Sequence, residues 1–105
     1  EPIDADPALF DEVVREAPVP ILVDFWAAWC APCRRAVPEV ARAAAETAGR
    51  ALVLKVDTEA HPDLAARFRV QSIPMFVVLS GGQVVVQQPG LVSAAQLVSW
   101  LDGAA

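Results

Sequence analysis

At 105 residues with a 55 % hydrophobic content, the chain can bury a core without a metal or disulfide staple, and residues 1–105 read as a single domain. A formal net charge of −5 excludes a nucleic-acid or anionic-membrane surface, which would need clustered Lys and Arg, and no apolar run reaches the length of a membrane span. Two cysteines are too few for a secreted disulfide scaffold, and no signal or transit segment is visible, so a cytoplasmic location is expected.

Residues 1–5 give only a weak strand signal. Asp6-Pro7 predicts a helix start, with Asp as N-cap and Pro at the first helical position; Leu9 or Phe10, Val13, Val14 and Ala17 follow at helical spacing. Residues 19–26 form an apolar run that reads as a central strand covered on both faces. A long helix follows, with Val37, Val40, Ala44 and Ala48 as its apolar face, a kink at Pro38 and Gly49 as C-cap. Residues 51–57 predict a second buried strand, and Pro62 opens a short helix bearing Leu64, Ala65 and Phe68. Met75–Leu79 and Val84–Gln88 predict strands joined through Ser80-Gly81-Gly82-Gln83. Ser93 with Gln96 predicts a capping box on a last helix that buries Leu97, Trp100 and Leu101. The order α-β-α-β-α-β-β-α predicts an α/β three-layer sandwich with parallel strands first and a closing antiparallel hairpin.

Trp29-Cys30-Ala31-Pro32-Cys33 falls where the central strand hands over to the long helix. A bond between two such close cysteines constrains little unfolded chain, so chemistry explains the pair better than stability does. A spacing of three on a helix sets both sulfurs on one face within bonding reach. At the helix N-terminus, free N–H groups and the dipole lower the pKa of Cys30, while Cys33, one turn in, is shielded. That asymmetry suits a dithiol that attacks a disulfide with Cys30 and resolves the mixed disulfide with Cys33. A zinc site would need four ligands, and the one other soft donor is His61, for which a solvated or capping role is expected; no metal is expected. Asp24 interrupts an apolar run. Either it is buried, with a raised pKa that suits proton transfer, or it reaches water at a bulge or strand end. Trp26 reads as core packing.

At these residues the sequence resembles the thioredoxin family. The resemblance spans Phe10 to Leu101 and rests on Val23-Asp24-Phe25-Trp26-Ala27, Trp29-Cys30-Ala31-Pro32-Cys33-Arg34, Ser72-Ile73-Pro74 and Gly90. Lys55 to Ala60 and Ala66 to Val70 are similar to bacterial second-type thioredoxins. Those commonly carry an N-terminal Cys-rich zinc-binding segment that is not among these residues. The chain opens on Glu1 and not on Met, which is compatible with removal of a leading segment or with a simpler relative. The resemblance implies a thioredoxin fold, a central mixed five-stranded sheet with four flanking helices. It implies Cys30 as nucleophile, Cys33 as resolving thiol and Asp24 as the buried carboxylate beneath it. Pro74 would follow a cis peptide, and Trp29, Ile73, Pro74 and Gly90, with Ala31 and Pro32 of the motif, would contact an extended substrate.

Three positions depart from the family pattern. Ala31 replaces the usual Gly in the motif that tunes the redox potential. The Lys that often faces the buried Asp is Val53 here, with Lys55 on the same strand face and its reach to Asp24 left open. Pro89 precedes Gly90. The implied function is a protein-disulfide reductase with no bound cofactor, recharged from NADPH through a flavoprotein thioredoxin reductase. Its partners would be that reductase and disulfide-containing proteins, with no nucleic acid and no membrane, and the chain would be a monomer. A disulfide oxidase or isomerase often has His between its cysteines, a charge that Ala31-Pro32 lacks. A non-enzymatic binding module would have no need of Cys30, Cys33 and Asp24 together.

Overall fold

The computed structural model describes residues 1–105. Its elements are β1 (Ile3–Asp4), α1 (Pro7–Glu16), β2 (Ile21–Trp26), α2 (Ala31–Glu46), β3 (Leu52–Asp57), α3 (Pro62–Arg67), β4 (Met75–Ser80), β5 (Gln83–Pro89) and α4 (Ala94–Gly103). The five strands form one sheet in the order β1-β3-β2-β4-β5. β1, β3 and β2 are parallel, whereas β4 runs antiparallel to β2 and β5 antiparallel to β4. The weakly signalled first strand is real but only two residues long. It is held on the sheet edge by its pairing to β3 and by the Ala5 N–H, which donates to the Lys55 carbonyl at 2.9 Å.

β2 lies between β3 and β4, so its two faces meet two cores. Ile21, Val23 and Phe25 pack with Leu54, Val56, Val77, Phe10 of α1 and Leu64 of α3. Leu22 packs with Val53, Phe76 and Val78 against Ala36, Val40 and Ala43 of α2 and Leu97 and Leu101 of α4. Each large side chain buried this way stabilises the fold by about 1.5–3 kcal/mol before its entropy cost. Burial on both sides explains why β2 is apolar at every position but Asp24.

Helix starts follow the expected caps. Asp6 Oδ1 accepts the Leu9 N–H at 2.8 Å. Ser93 Oγ accepts the Gln96 N–H at 3.2 Å, while Glu39 of α2 reaches across to accept the Ala94 N–H at 2.8 Å. The start of α4 is thus capped by its own serine and by a carboxylate from α2.

Two expectations for α2 are corrected. The helix ends at Glu46 with Thr47 as C-cap, where Gly49 had been expected in that role; the buried Thr47 hydroxyl donates to the Ala43 carbonyl at 2.8 Å. Gly49, at φ +86°, serves the following turn, closed by the Arg50 N–H on the Thr47 carbonyl. The buried stripe is Cys33, Ala36, Val40, Ala43 and Ala44, leaving Val37 and Ala48 exposed. In an alanine-rich helix several stripes look equally apolar, and packing against β2 and β3 chooses among them. The helix passes through Pro38 without a break.

The hairpin turn has Gly81 and Gly82 at φ +58° and +79°, the left-handed pair that matches strand twist. The register of β5 slips between Val78 and Leu79, leaving Val85 as the bulged residue of an exposed edge strand.

α3 ends in a Schellman motif, with the Val70 N–H on the Ala65 carbonyl and the Arg69 N–H on that of Ala66, at 2.9 and 3.0 Å. The left-handed position is taken by Arg69, at φ +55°, where a Cβ is strained. Arg69→Gly is expected to raise stability by ~0.5–1 kcal/mol, the relief being partly offset by glycine's greater unfolded-state freedom. Urea unfolding measures it, and a lower midpoint would mean that the exposed Arg69 side chain contributes more than the strain costs.

Candidate active site

β2 ends at Trp26, and the chain turns through Ala27–Trp29 into α2. The Cys30 N–H donates to the Ala27 carbonyl at 3.2 Å, which sets Cys30 at the N-cap of α2. There its Sγ accepts the Cys33 N–H at 3.2 Å. Pro32 occupies the first turn, where no N–H donor is required. Cys30 and Cys33 are joined in a disulfide, with Cα atoms 5.2 Å apart.

The structure modifies the expected contrast in shielding. Cys30 and Cys33 are 3 % and 4 % exposed, so burial does not distinguish them. What does is position: the first sulfur receives a free helix N–H at the positive end of the α2 dipole, which favours its thiolate. The two also open on different sides. Cys30 lines a groove beside α3, and Cys33 lines a smaller pocket with Trp26, Val37 and Lys55.

The groove encloses about 470 Å³. Of the residues expected there, Trp29, Ala31, Pro32 and Ile73 line it, with Trp29 67 % exposed. Pro74 and Gly90 do not. Pro74 is buried behind Ile73 after a cis peptide bond, and the Gly90 N–H, at φ +92°, donates to the Pro74 carbonyl at 2.8 Å. They hold the backbone that presents Ile73, whose carbonyl oxygen is 3.7 Å from Cys30 Sγ. Sequence reasoning missed the far wall, formed by Thr58, Ala65, Val70, Gln71 and Ser72. Thr58 had a signal: it follows β3 beside the end of β2, and adjoining C-terminal ends of parallel strands form crevices. Its hydroxyl and N–H both donate to the Trp26 carbonyl, at 3.1 and 2.9 Å.

Asp24 is 2 % exposed, in regular register between Lys55 and Phe76, and its Oδ1 has no hydrogen-bond partner. It shares a strand face with Leu22, the face covered by α2. Burial pushes its carboxyl from 3.8 up to about 6, against the opposing pull of the Lys55 ammonium. Lys55 is beside Asp24 in register without forming an ion pair; its Nζ sits 5.0 Å from the centroid of the Trp26 ring. Trp26, expected as core, is half-buried against Ala27, Cys30 and Cys33. Its indole N–H is buried without an acceptor, a feature nothing in the structure explains. His61 stands at the N-cap of α3 with no side-chain cap bond. No cluster of three or more His, Cys, Asp or Glu side chains is arranged to hold a metal ion.

Residues 2–103 match the thioredoxin family model. Thioredoxin 1 of Chlorobaculum tepidum is 40 % identical over 87 residues, covering 83 % of this chain and 86 % of that protein. The thioredoxin of Haemophilus influenzae is 37 % identical over 99 residues, 94 % of this chain and 90 % of that one. Among solved structures, chloroplastic thioredoxin z superposes with a TM-score of 0.90 at 26 % identity, covering 99 % of this chain and 94 % of its own. The likeness runs through the whole sheet and includes the segment that carries the cysteine couple. The chain therefore belongs to the thioredoxin family and is a protein-disulfide reductase, a thiol–disulfide oxidoreductase working through Cys30 and Cys33.

Proposed function

We propose that Cys30 is the attacking thiolate, Cys33 the resolving thiol and Asp24 the group that takes the proton from Cys33. The observation that carries this reading is the Cys33 N–H donated to Cys30 Sγ at the N-cap of α2. In the reduced protein the Cys30 thiolate attacks one sulfur of a substrate disulfide, forming a mixed disulfide and expelling the other sulfur as a thiolate. The Asp24 carboxylate takes the Cys33 proton, Cys33 attacks the Cys30 sulfur, and the second substrate thiolate departs. A carboxyl with a pKa of about 6 suits this step, since near neutral pH it is mostly ionised yet basic enough to accept a proton. Trp29, Ala31, Pro32 and Ile73 contact the substrate segment, and Pro74 and Gly90 fix the backbone that Ile73 presents to it.

The couple is recharged with two electrons from NADPH delivered by a flavoprotein thioredoxin reductase, with no cofactor bound to this chain. The protein acts as one domain and as a monomer in the cytoplasm, on disulfide-containing proteins. Family membership supports the reductase and the substrate class; no helix is long and apolar enough to cross a membrane.

Limited alkylation of the reduced protein tests the division of roles. At neutral pH, iodoacetamide is expected to label Cys30 on the order of tenfold faster than Cys33, because the helix N-terminus raises the thiolate fraction of the first cysteine. Peptide mass mapping reads the ratio, and faster labelling of Cys33 would reverse the assignment.

A further inference from the structure

The groove that Cys30 lines faces α3. A second depression, of about 620 Å³, lies where α2 meets the loop into α4, with Arg34, Arg35 and Glu39 on one wall and Leu91 and Ser93 on the other. Arg34 connects it to the couple, since it also lines the small pocket that holds Cys33. Neither Arg34 nor Arg35 has a carboxylate partner: the chain's ion pairs are Arg50–Asp102 and Arg67–Asp11. Arg34 gives one N–H to the Ala28 carbonyl at 2.8 Å, and both guanidiniums remain exposed. Glu39, on the same wall, accepts the Ala94 N–H at 2.8 Å, where the positive end of α4 offsets its charge. Leu91 is 51 % exposed and adds an apolar contact to the same depression.

This surface opposes the rest of the molecule in sign. The chain carries a net charge of −5, and six of its 13 acidic residues fall within residues 1–16. Those residues include β1 and α1, and α1 packs on the face of the sheet opposite α2. A partner therefore meets an uncharged groove on the α3 side of the cysteines and free guanidinium charge on the α2 side.

We propose that this depression receives an acidic segment of the disulfide substrate, so that the protein selects cystines flanked on one side by Asp or Glu. The selection rests on the reductase reading and specifies its substrate class. Complementary charge on the first turn of α2, where the Arg34 N–H donates to the Cys30 carbonyl, raises encounter rates and fixes the direction in which the substrate chain lies.

The test uses three disulfide peptides with the same cystine core, flanked by Asp/Glu, by Asn/Gln or by Lys, and the reduced full chain as wild type and as Arg34→Gln/Arg35→Gln. At low salt the wild type is expected to show kcat/KM on the order of tenfold higher for the acidic peptide than for the neutral one, and lowest for the Lys peptide. The acidic-to-neutral ratio should approach one at high salt and in the double variant. Equal rates for acidic and neutral peptides, or a preference that survives the substitution, would overturn the proposal. So would slower turnover with a flavoprotein reductase at an unchanged peptide ratio, which would give the depression to the reductase. If the wild type reduces none of the peptides, the reductase reading itself fails; if it reduces all three alike, only the acidic selectivity does.

Discussion

Asp24→Asn is expected to make the protein more stable at pH 8 and to leave it a slower reductase. Asp24 is enclosed between β3 and β4 with one carboxylate oxygen unpartnered, and burial holds its carboxyl at about 6 against 3.8 for an ordinary Asp. The folded state therefore binds this proton more tightly than the unfolded chain does. Stability falls as pH rises from 3.8 through about 6, and the loss is complete above both values. That rise in pKa corresponds to roughly 3 kcal/mol at ~1.36 kcal/mol per pH unit. Asn does not ionise, so its advantage should be small near pH 4, grow through pH 6 and level off by pH 8. Lys55 tempers the effect by favouring the charged form; in a Lys55→Met background the gain from Asn should be larger. Turnover should drop on the order of 10²-fold near neutral pH, the lower end of what loss of a general base costs. Urea unfolding at pH 4 and pH 8, with insulin-type disulfide reduction alongside, measures both effects. A stability gain independent of pH would mean that the Asp24 carboxyl is paired or hydrated, and proton transfer through it would lose its support.

The parts of this site that were legible in the sequence are those set by near neighbours. Asp6 caps α1 because its side chain reaches Leu9 three residues away, and Cys30 reaches the Cys33 N–H by the same geometry. Asp24 was conspicuous because Ile21–Val23 and Phe25 around it are apolar. What was illegible depends on register or packing between distant segments. Nothing local says that Lys55 pairs with Asp24 or that its ammonium rests over Trp26. The far wall of the groove joins Ala65, Val70 and Gln71 to a motif more than 30 residues earlier. In α2, Val37 looked like core because it is the larger apolar residue, yet the sheet takes Ala36, where a small side chain lets helix and strand approach. The bulge at Val85 left no mark among three consecutive valines.

Cys33→Ser is expected to convert the reductase into a trap, while Cys30→Ser captures nothing. Cys30 remains at the N-cap of α2 in the first variant, with the backbone N–H of residue 33 still available to its sulfur. Its thiolate can attack a substrate disulfide as before and form a mixed disulfide with one half of it. The serine hydroxyl that replaces the resolving thiol is not ionised near neutral pH and does not attack sulfur, so the second substrate thiolate stays bound. Turnover should fall on the order of 10³-fold or more in either variant, as for loss of a reacting group, but only Cys33→Ser should accumulate the adduct. In Cys30→Ser the remaining thiol lines the small pocket beside Trp26 and Lys55, away from the groove that the substrate segment enters. Non-reducing electrophoresis and intact mass after incubation with a disulfide-containing protein read the adduct, and dithiothreitol should release it. Trapping by Cys30→Ser at a comparable rate would mean that both sulfurs reach substrate. The separation of attacking and resolving thiols by helix position would then be wrong.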